Sequence, residues 1–283
     1  MIRFGPAGNS QAFYDEGHKH TYEAPEWLHS KGLNAFEYSF GRGVRLGEET
    51  AVKIREQAEK YDIAMSVHAP YYINLANNDE GKFEKNLAYF RESTIAAQAL
   101  GAKRIVFHPG SCAKMDRDVA FKNVCENLKS IVEALRTEGY TDSIYCAETM
   151  GKINQIANLE EVGILARIDD CIYPAIDFGH LNARTLGGIK TKADYAAILE
   201  SLKNGAGEEK TNNMHVHFSH IQYTDKGEKM HLTFDDNTWG PFFGPLAELL
   251  KANTAMQPVI ICESSGTQAM DALDMKRMYE EAK

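Results

Sequence analysis

Six side chains that can ligate a metal each close a short apolar segment of this 283-residue chain. They are His68, His108, Glu148, Asp177, His217 and Glu263, and they end the runs IAMSVH, RIVFH, SIYCAE, IYPAID, MHVH and VIICE, with His217 last in its run. Core packing does not call for a polar group at the end of run after run. Imidazole and carboxylate are usual ligands of zinc and manganese. The pattern therefore predicts a metal site, with ligands enough for more than one ion.

The apolar segments read as eight β-strands, and segments with helical periodicity lie between them. The strand segments are Ile2–Phe4, Ala35–Tyr38, Ala64–His68, Arg104–His108, Ser143–Glu148, Ile172–Asp177, Met214–Phe218 and Val259–Glu263. The helical segments are Glu49–Lys60, Lys82–Leu100, Arg117–Leu135, Leu159–Arg167, Ala193–Leu202, Pro241–Leu250 and Gln268–Ala282. This alternation predicts an α/β fold, a single (β/α)8 TIM barrel over residues 1–283. The C-terminal ends of its strands would bring the candidate ligands to one rim.

An open, doubly wound sheet is the alternative architecture. It should carry a glycine-rich phosphate loop after the first strand, and the GPAGNS sequence at residues 5–10 does not match GxGxxG. The chain also has no GxSxG motif, so a nucleophilic serine hydrolase is not indicated. The barrel is therefore the favoured fold.

Composition restricts the class of protein. The net charge of -9 argues against a broad basic surface for nonspecific nucleic-acid binding, although bound metal ions would offset several acids. No run approaches the ~18 apolar residues of a membrane span, and no signal-peptide pattern opens the chain. The five cysteines lack CxxC spacing, so we expect free thiols and a cytoplasmic protein. We expect no membrane partner, no organic cofactor and a monomer.

The candidate ligands fall into three sets. His68 and His108 come from adjacent strands and form one set, with Glu148 as a bridge. His180, three residues after the acid of DFGH, and His231, in the long polar segment after the seventh strand, could hold a third ion. The remaining set is rich in carboxylates and consists of Glu148, Asp177, His217 and Glu263.

His215 and His217 compete for the position on the seventh strand. Side chains alternate along a strand, so both point to the same face. His217 lies nearer the C-terminal end and is the better ligand. His215 would lie a layer deeper, where packing or support of a ligand is the expected role.

These positions resemble the endonuclease IV family of apurinic/apyrimidinic endonucleases, within the xylose isomerase-like barrel superfamily. The motifs that carry the resemblance are GPAGNS, HAPYYINL, FHPGS, AETMGK, IDFGH, GEKMH and CESSG. It implies a centre of two to three zinc ions, with Mn²⁺ as the alternative metal. One ion would take Glu148, Asp177, His217 and Glu263, a second His68, His108 and Glu148, and a third His180 and His231. It also implies that loop side chains enter DNA at the lesion, here Arg42, Tyr71 and Tyr72.

One position departs from the family pattern. The family has an aspartate two residues before the last histidine of the third set, and this chain has Lys229 there. An ammonium group so close to a ligand would repel a cation unless it points away. Glu228 is the candidate replacement, and the third ion depends on it.

The resemblance implies hydrolysis of the phosphodiester on the 5′ side of an abasic site in duplex DNA, as in base excision repair. Glu148 would bridge two ions that activate a shared water, and Glu263 would orient that water. One alternative is a sugar isomerase or epimerase that uses a single metal in the carboxylate-rich set. The other is a barrel that binds a metal or ligand without catalysis.

Overall fold

The structure, a computed structural model, describes residues 1–283 as ten strands, eleven α-helices and one 3₁₀ helix at Thr21–Glu23. The strands are β1 (Arg3–Pro6), β2 (Ala35–Ser39), β3 (Ala64–His68), β4 (Arg104–Phe107), β5 (Ile144–Glu148), β6 (Ile172–Asp177), β7 (His215–Phe218), β8 (His220–Thr224), β9 (Gly227–Leu232) and β10 (Val259–Cys262). The helices are α1 (Gln11–Asp15), α2 (Ala24–Lys31), α3 (Glu48–Lys60), α4 (Lys82–Ala99), α5 (Arg117–Thr137), α6 (Leu159–Leu165), α7 (Phe178–Arg184), α8 (Lys192–Ala206), α9 (Glu208–Asn212), α10 (Gly244–Ala252) and α11 (Gln268–Glu281).

Eight of the strands form one sheet that curves into a nearly closed barrel. Their order is β1-β10-β7-β6-β5-β4-β3-β2, and every pair of neighbours is parallel. The ends of the sheet meet where the Gly8 amide donates to the Glu37 carbonyl at 2.9 Å and the Asn34 amide to the Phe4 carbonyl at 3.0 Å. Each predicted strand overlaps one of these eight. The prediction of a (β/α)8 barrel is confirmed.

Helix α5 shows how the sequence builds the outer layer. The Asp116 side chain accepts hydrogen bonds from the backbone amides of Asp118 at 2.9 Å and Val119 at 3.3 Å, and so caps the first turn. Apolar residues three or four positions apart then form one face, which packs on the barrel. These buried residues are Ala120, Val124, Leu128, Ile131 and Leu135. None of the helices is long and apolar enough to cross a membrane.

The C-terminal rim contains two elements that the sequence did not predict. Strands β8 and β9 form an antiparallel hairpin where a long polar loop was expected. Helix α7 begins directly after β6, and Asp177 is its N-cap. Helices α1, α2 and α9 were also missed, because elements of 5 to 8 residues show too few turns to reveal periodicity.

Candidate metal centre

Five of the eight candidate ligands line one cavity of about 370 Å³ at the C-terminal rim, and the other three, Glu148, Asp177 and His217, are buried. His68, Glu148 and Asp177 are the last residues of β3, β5 and β6. His108 and Glu263 directly follow β4 and β10. The structure places all eight predicted ligands in this region, and the remaining three are His180 on α7, His217 on β7 and His231 on β9.

Glu148 lies at the middle of the group and is 1% exposed. Its Oε2 atom is 3.0 Å from Nε2 of His68 and 3.0 Å from Nε2 of His108. Its Oε1 atom is 3.2 Å from Nδ1 of His217. Because the two oxygens face different histidines, this carboxylate has the placement of a bridge between two ions.

Hydrogen bonds to backbone carbonyls fix which ring nitrogen of two histidines carries a proton. Nδ1 of His68 lies 2.8 Å from the Ala69 carbonyl, and Nδ1 of His180 lies 2.9 Å from the Thr149 carbonyl. A carbonyl can only accept, so Nδ1 is the donor in both rings. In the neutral ring the lone pair is then on Nε2, which faces the acids of the cavity and is free to bind a metal.

One oxygen of Asp177 accepts a hydrogen bond and the other does not. Its Oδ1 accepts a hydrogen bond from the His180 backbone amide at 2.7 Å. Its Oδ2 is buried, forms no hydrogen bond and lies 3.3 Å from Nδ1 of His180. Burial raises the pKa of Asp177 to about 6. A buried carboxylate oxygen without a hydrogen bond is costly, and a bound cation would stabilise it. Ligand atoms of the whole carboxylate-rich set, Glu148, Asp177, His217 and Glu263, lie within 4.8 Å of one another.

A second acid completes the third set. His180, Glu228 and His231 have ligand atoms within 4.8 Å of one another, and Nε2 of His180 is 3.5 Å from Oε2 of Glu228. Lys229 is exposed. The third set therefore contains a carboxylate even though lysine replaces the expected aspartate.

The charges of the centre balance one another. Burial lowers the pKa of His68, but the hydrogen bond to Glu148 and the negative charges of Glu148 and Glu37 together outweigh burial and raise this pKa to about 9. Burial likewise opposes ionisation of Glu148, but the facing histidines, led by His108, hold its pKa well below the usual range. Glu148 is thus ionised and needs positive charge nearby. Metal ions can supply that charge in place of the imidazole protons, because metal and proton compete for the same nitrogens. The donors present fit zinc or manganese.

Glu37 was not among the predicted site residues, although it lies directly beneath the centre. It is a fully buried residue of β2, with Oε1 3.0 Å from Nε2 of His217 and Oε2 3.0 Å from Nε2 of His215. His215 is where its strand position predicted, one layer below His217. An acid inside the apolar run AFEYS was the available signal.

The three residues expected to contact DNA lie at the mouth of the cavity or beside it. Tyr71 and Tyr72 are 50% and 46% exposed, and their ring centroids are 4.2 Å apart. Tyr71 lines the cavity, and its amide donates to the Gly41 carbonyl at 3.1 Å. Arg42 follows Gly41 and is exposed. The two loops thus lie together at the rim.

Comparison with known sequences gives matches over most of the chain. The sequence model of a family described as xylose isomerase-like TIM barrel matches residues 25–281. An uncharacterized protein of Methanocaldococcus jannaschii is 32% identical over 281 residues, 99% of this chain and 98% of that protein. A probable endonuclease 4 of Staphylococcus carnosus is 28% identical over 191 residues, 64% of this chain and 62% of that protein.

Solved structures share the fold across nearly the whole chain. Endonuclease IV from Thermus thermophilus has a TM-score of 0.69 at 20% identity, covering 99% of this chain and 100% of its own. A D-tagatose 3-epimerase-like protein has a TM-score of 0.70 at 20% identity, covering 99% of this chain and 96% of its own. The likeness to both extends over the barrel, so overall shape does not separate nuclease from epimerase.

Proposed function

This chain belongs to the xylose isomerase-like TIM barrel family, and we propose that it hydrolyses the phosphodiester 5′ to abasic sites in duplex DNA. Curated relatives named probable endonuclease 4 agree with the resemblance predicted from the motifs. The observation that carries the proposal is the arrangement of three ligand sets around one cavity, two of which share Glu148. A sugar isomerase with a single metal needs only the carboxylate-rich set.

We assign the ligands as the resemblance implies, with one replacement. Glu228 joins His180 and His231 in the third set, where the family has an aspartate. Zinc is the proposed metal, because imidazole and carboxylate are its usual nitrogen and oxygen donors, and manganese is the alternative. When bound, such ions lower the pKa of water and polarise the phosphate.

Among the acids of the carboxylate-rich set, Glu263 is the one that substrate and water can reach. Its side chain is 19% exposed, whereas those of Glu148 and Asp177 are 1% and 0% exposed. Glu263 is therefore suited to orient the attacking water and to take its proton. Glu148, held between the histidines of two sets, fixes the distance between those sets.

The rim carries groups suited to a nucleic acid in spite of the acidic net charge. Lys152, Lys226 and Lys229 line a second cavity, of about 720 Å³, and Lys152 also borders the metal cavity. Their ammonium groups would contact phosphates of the DNA backbone. Tyr71, Tyr72 and Arg42 would enter the duplex at the lesion, where the missing base leaves the stack weakest.

The test is incision of a duplex oligonucleotide that carries one stable abasic analogue. The zinc-loaded full chain should cut on the 5′ side, and a chelator should abolish cutting. Glu148→Ala and His108→Ala should each lower the rate by about 10³-fold or more, which corresponds to about 4 kcal/mol of barrier. Glu133→Ala, an exposed change on α5, is the matched control and should keep the wild-type rate.

Wild-type incision by Glu148→Ala would exclude the bridged site. If the protein cuts no duplex with either zinc or manganese, the proposal fails, and epimerisation of ketoses becomes the activity to assay, since the carboxylate-rich set suffices for it. We also propose that the protein is a monomer of the cytoplasm. The five free cysteines support a reducing compartment, as the cytoplasm is.

A further inference from the structure

Three buried polar residues form a cluster below the metal centre, inside the barrel. Glu37, His215 and His217 are all 0% exposed. Each oxygen of Glu37 faces one ring nitrogen at 3.0 Å, Oε1 facing His217 and Oε2 facing His215. Ser66 also donates a hydrogen bond to Oε2 at 2.9 Å. Oε1 of Glu37 and Nε2 of His217 are both buried and neither forms a hydrogen bond, so their charge contact at 3.0 Å is the closest polar contact between them.

The complete burial of the Glu37 carboxylate requires a physical explanation. Transfer of an ionised carboxylate from water to the protein interior is unfavourable unless partners compensate for its charge. Packing alone would favour an apolar residue at this position of β2, between Phe36 and Tyr38. The contacts that compensate Glu37 are the two imidazole rings and the Ser66 hydroxyl. The oxygens of Glu37 face His215 and His217, and Glu37 does not line the metal cavity.

His217 is the residue that connects the cluster to the metal centre. Its Nε2 atom faces Glu37, while its Nδ1 atom lies 3.2 Å from Oε1 of Glu148 and 3.5 Å from Oε1 of Glu263. An imidazole that ligates a metal through one nitrogen carries a proton on the other. A carboxylate that receives this N–H fixes the ring orientation and makes the ligating nitrogen a stronger base.

We propose that Glu37 is a positioning residue of the metal centre, which holds the N–H of His217 at Nε2 and so directs Nδ1 to the metal of the carboxylate-rich set. His215 and Ser66 occupy the other oxygen of Glu37 and keep Oε1 aimed at His217. The inference rests on the proposed function only in that His217 is taken as a metal ligand. It does not depend on which substrate the centre acts on.

The first experiment measures zinc binding by chelator competition in the full chain. Glu37→Gln has nearly the same shape but no charge, and it should weaken zinc binding at the carboxylate-rich set by about 10- to 100-fold. Occupancy of the set around His231, which Glu37 does not contact, should stay unchanged. Glu37→Asp keeps the charge and should recover part of the affinity.

A spectroscopic measurement separates positioning from a general loss of structure. In the zinc-loaded wild type, the proton on Nε2 of His217 should give a low-field NMR signal, because a carboxylate accepts it. In Glu37→Gln this signal should move upfield and exchange faster with water. Thr94→Val is the matched control, since it removes another buried contact, between Thr94 Oγ1 and the Tyr145 hydroxyl at 3.0 Å. It should lower stability and leave zinc affinity and the signal unchanged.

If Glu37→Gln does not fold, zinc binding is measured in His215→Leu instead, because this variant keeps Glu37 and removes one of its two histidine contacts. It should weaken zinc binding by about 10-fold, the lower end of the range. Wild-type affinity in the variant that folds overturns the inference. Wild-type affinity in Glu37→Gln together with retained DNA incision would refute positioning but not the nuclease. Weaker binding in a protein that cuts no DNA would refute the nuclease but not positioning.

Discussion

Lys229 lies two residues before a candidate ligand, yet its side chain is exposed. The reason is an irregularity in the hairpin. Gln222 pairs with Met230, but the next residue of β8, Tyr223, pairs with Glu228, so Lys229 has no partner. This β-bulge shifts the alternation of β9 by one position. Glu228 and His231 consequently lie on the same face, toward His180, and the charge of Lys229 does not oppose a cation there.

At Glu228 and Lys229 we therefore expect opposite outcomes from two neighbouring substitutions. Glu228→Gln removes the carboxylate of the third set and should lower the bound zinc by up to one ion per chain. Lys229→Gln removes an exposed ammonium and should leave the metal content unchanged. The measurement is metal analysis of the purified variants after dialysis against a fixed free zinc concentration. Loss of zinc in Lys229→Gln but not in Glu228→Gln would mean that the bulge assigns the wrong residue to the centre.

The sequence allowed a candidate metal ligand to be predicted where that residue is the last of a strand. His68, Glu148 and Asp177 were predicted because a polar group at the end of an apolar run has few structural uses. Glu37 was missed because it lies in the middle of its strand. The alternation of side chains along a strand does not show that a buried acid faces His215 and His217, which are 178 and 180 positions later. The role of Glu228 depends on the bulge, which pairing between strands determines.

At the scale of elements, two arginines hold the loop that follows β5. Arg184 donates hydrogen bonds to the carbonyls of Met150, Lys152, Ile153 and Gln155 at 2.8–3.3 Å. Arg117 donates to two of these carbonyls, and its guanidinium also pairs with Glu161 on α6. The hairpin is fastened to the same loop, where the Glu228 amide donates to the Gly151 carbonyl at 3.1 Å. The loop thus couples Glu148 to the third set.

Arg184→Met should loosen this loop, because its carbonyls lose a charged donor and the side chain keeps only its apolar stem. We expect a loss of about 2 kcal/mol in the free energy of unfolding, since hydrogen bonds to charged groups contribute about 1.5–3 kcal/mol. Limited proteolysis should cut faster within residues 150–155. Arg167→Met is the control, as its guanidinium donates to a single carbonyl, that of Asn204. Equal effects of the two substitutions would contradict a special role of Arg184.

Elements were predictable in proportion to their length and regularity. Helix α5, with 21 residues, was predicted from Arg117 at its first residue, because five turns repeat the same apolar spacing. Helix α7 was missed, although Asp177 caps it, because its seven residues are almost all buried and show no polar face. The hairpin was read as a loop, since its strands alternate weakly and pair only with each other at the rim.

For the molecule as a whole, the barrel concentrates charge at one end of a continuous core. One hydrophobic cluster includes 62 buried residues and extends from Ile2 on the first strand segment to Met275 on α11. Above it, four acids and five histidines share the rim centre, with Glu37 and His215 beneath. We propose from the continuity of the core that residues 1–283 unfold as one domain. The stability of that domain should then depend on the cations that balance its acids.

Zinc removal tests whether the metal centre stabilises the whole fold. A ligand that binds only the folded state, at about 1,000 times its Kd, adds about 4 kcal/mol to the free energy of unfolding. For a chain of this size each kcal/mol raises Tm by about 2–4 °C, so zinc should raise Tm by about 8–16 °C over the metal-free protein. Calorimetry should show one transition in both states, and Glu148→Ala should lose most of the zinc-dependent rise. A Tm that does not respond to zinc would count against a metal centre at the rim, and two separate transitions would count against a single domain.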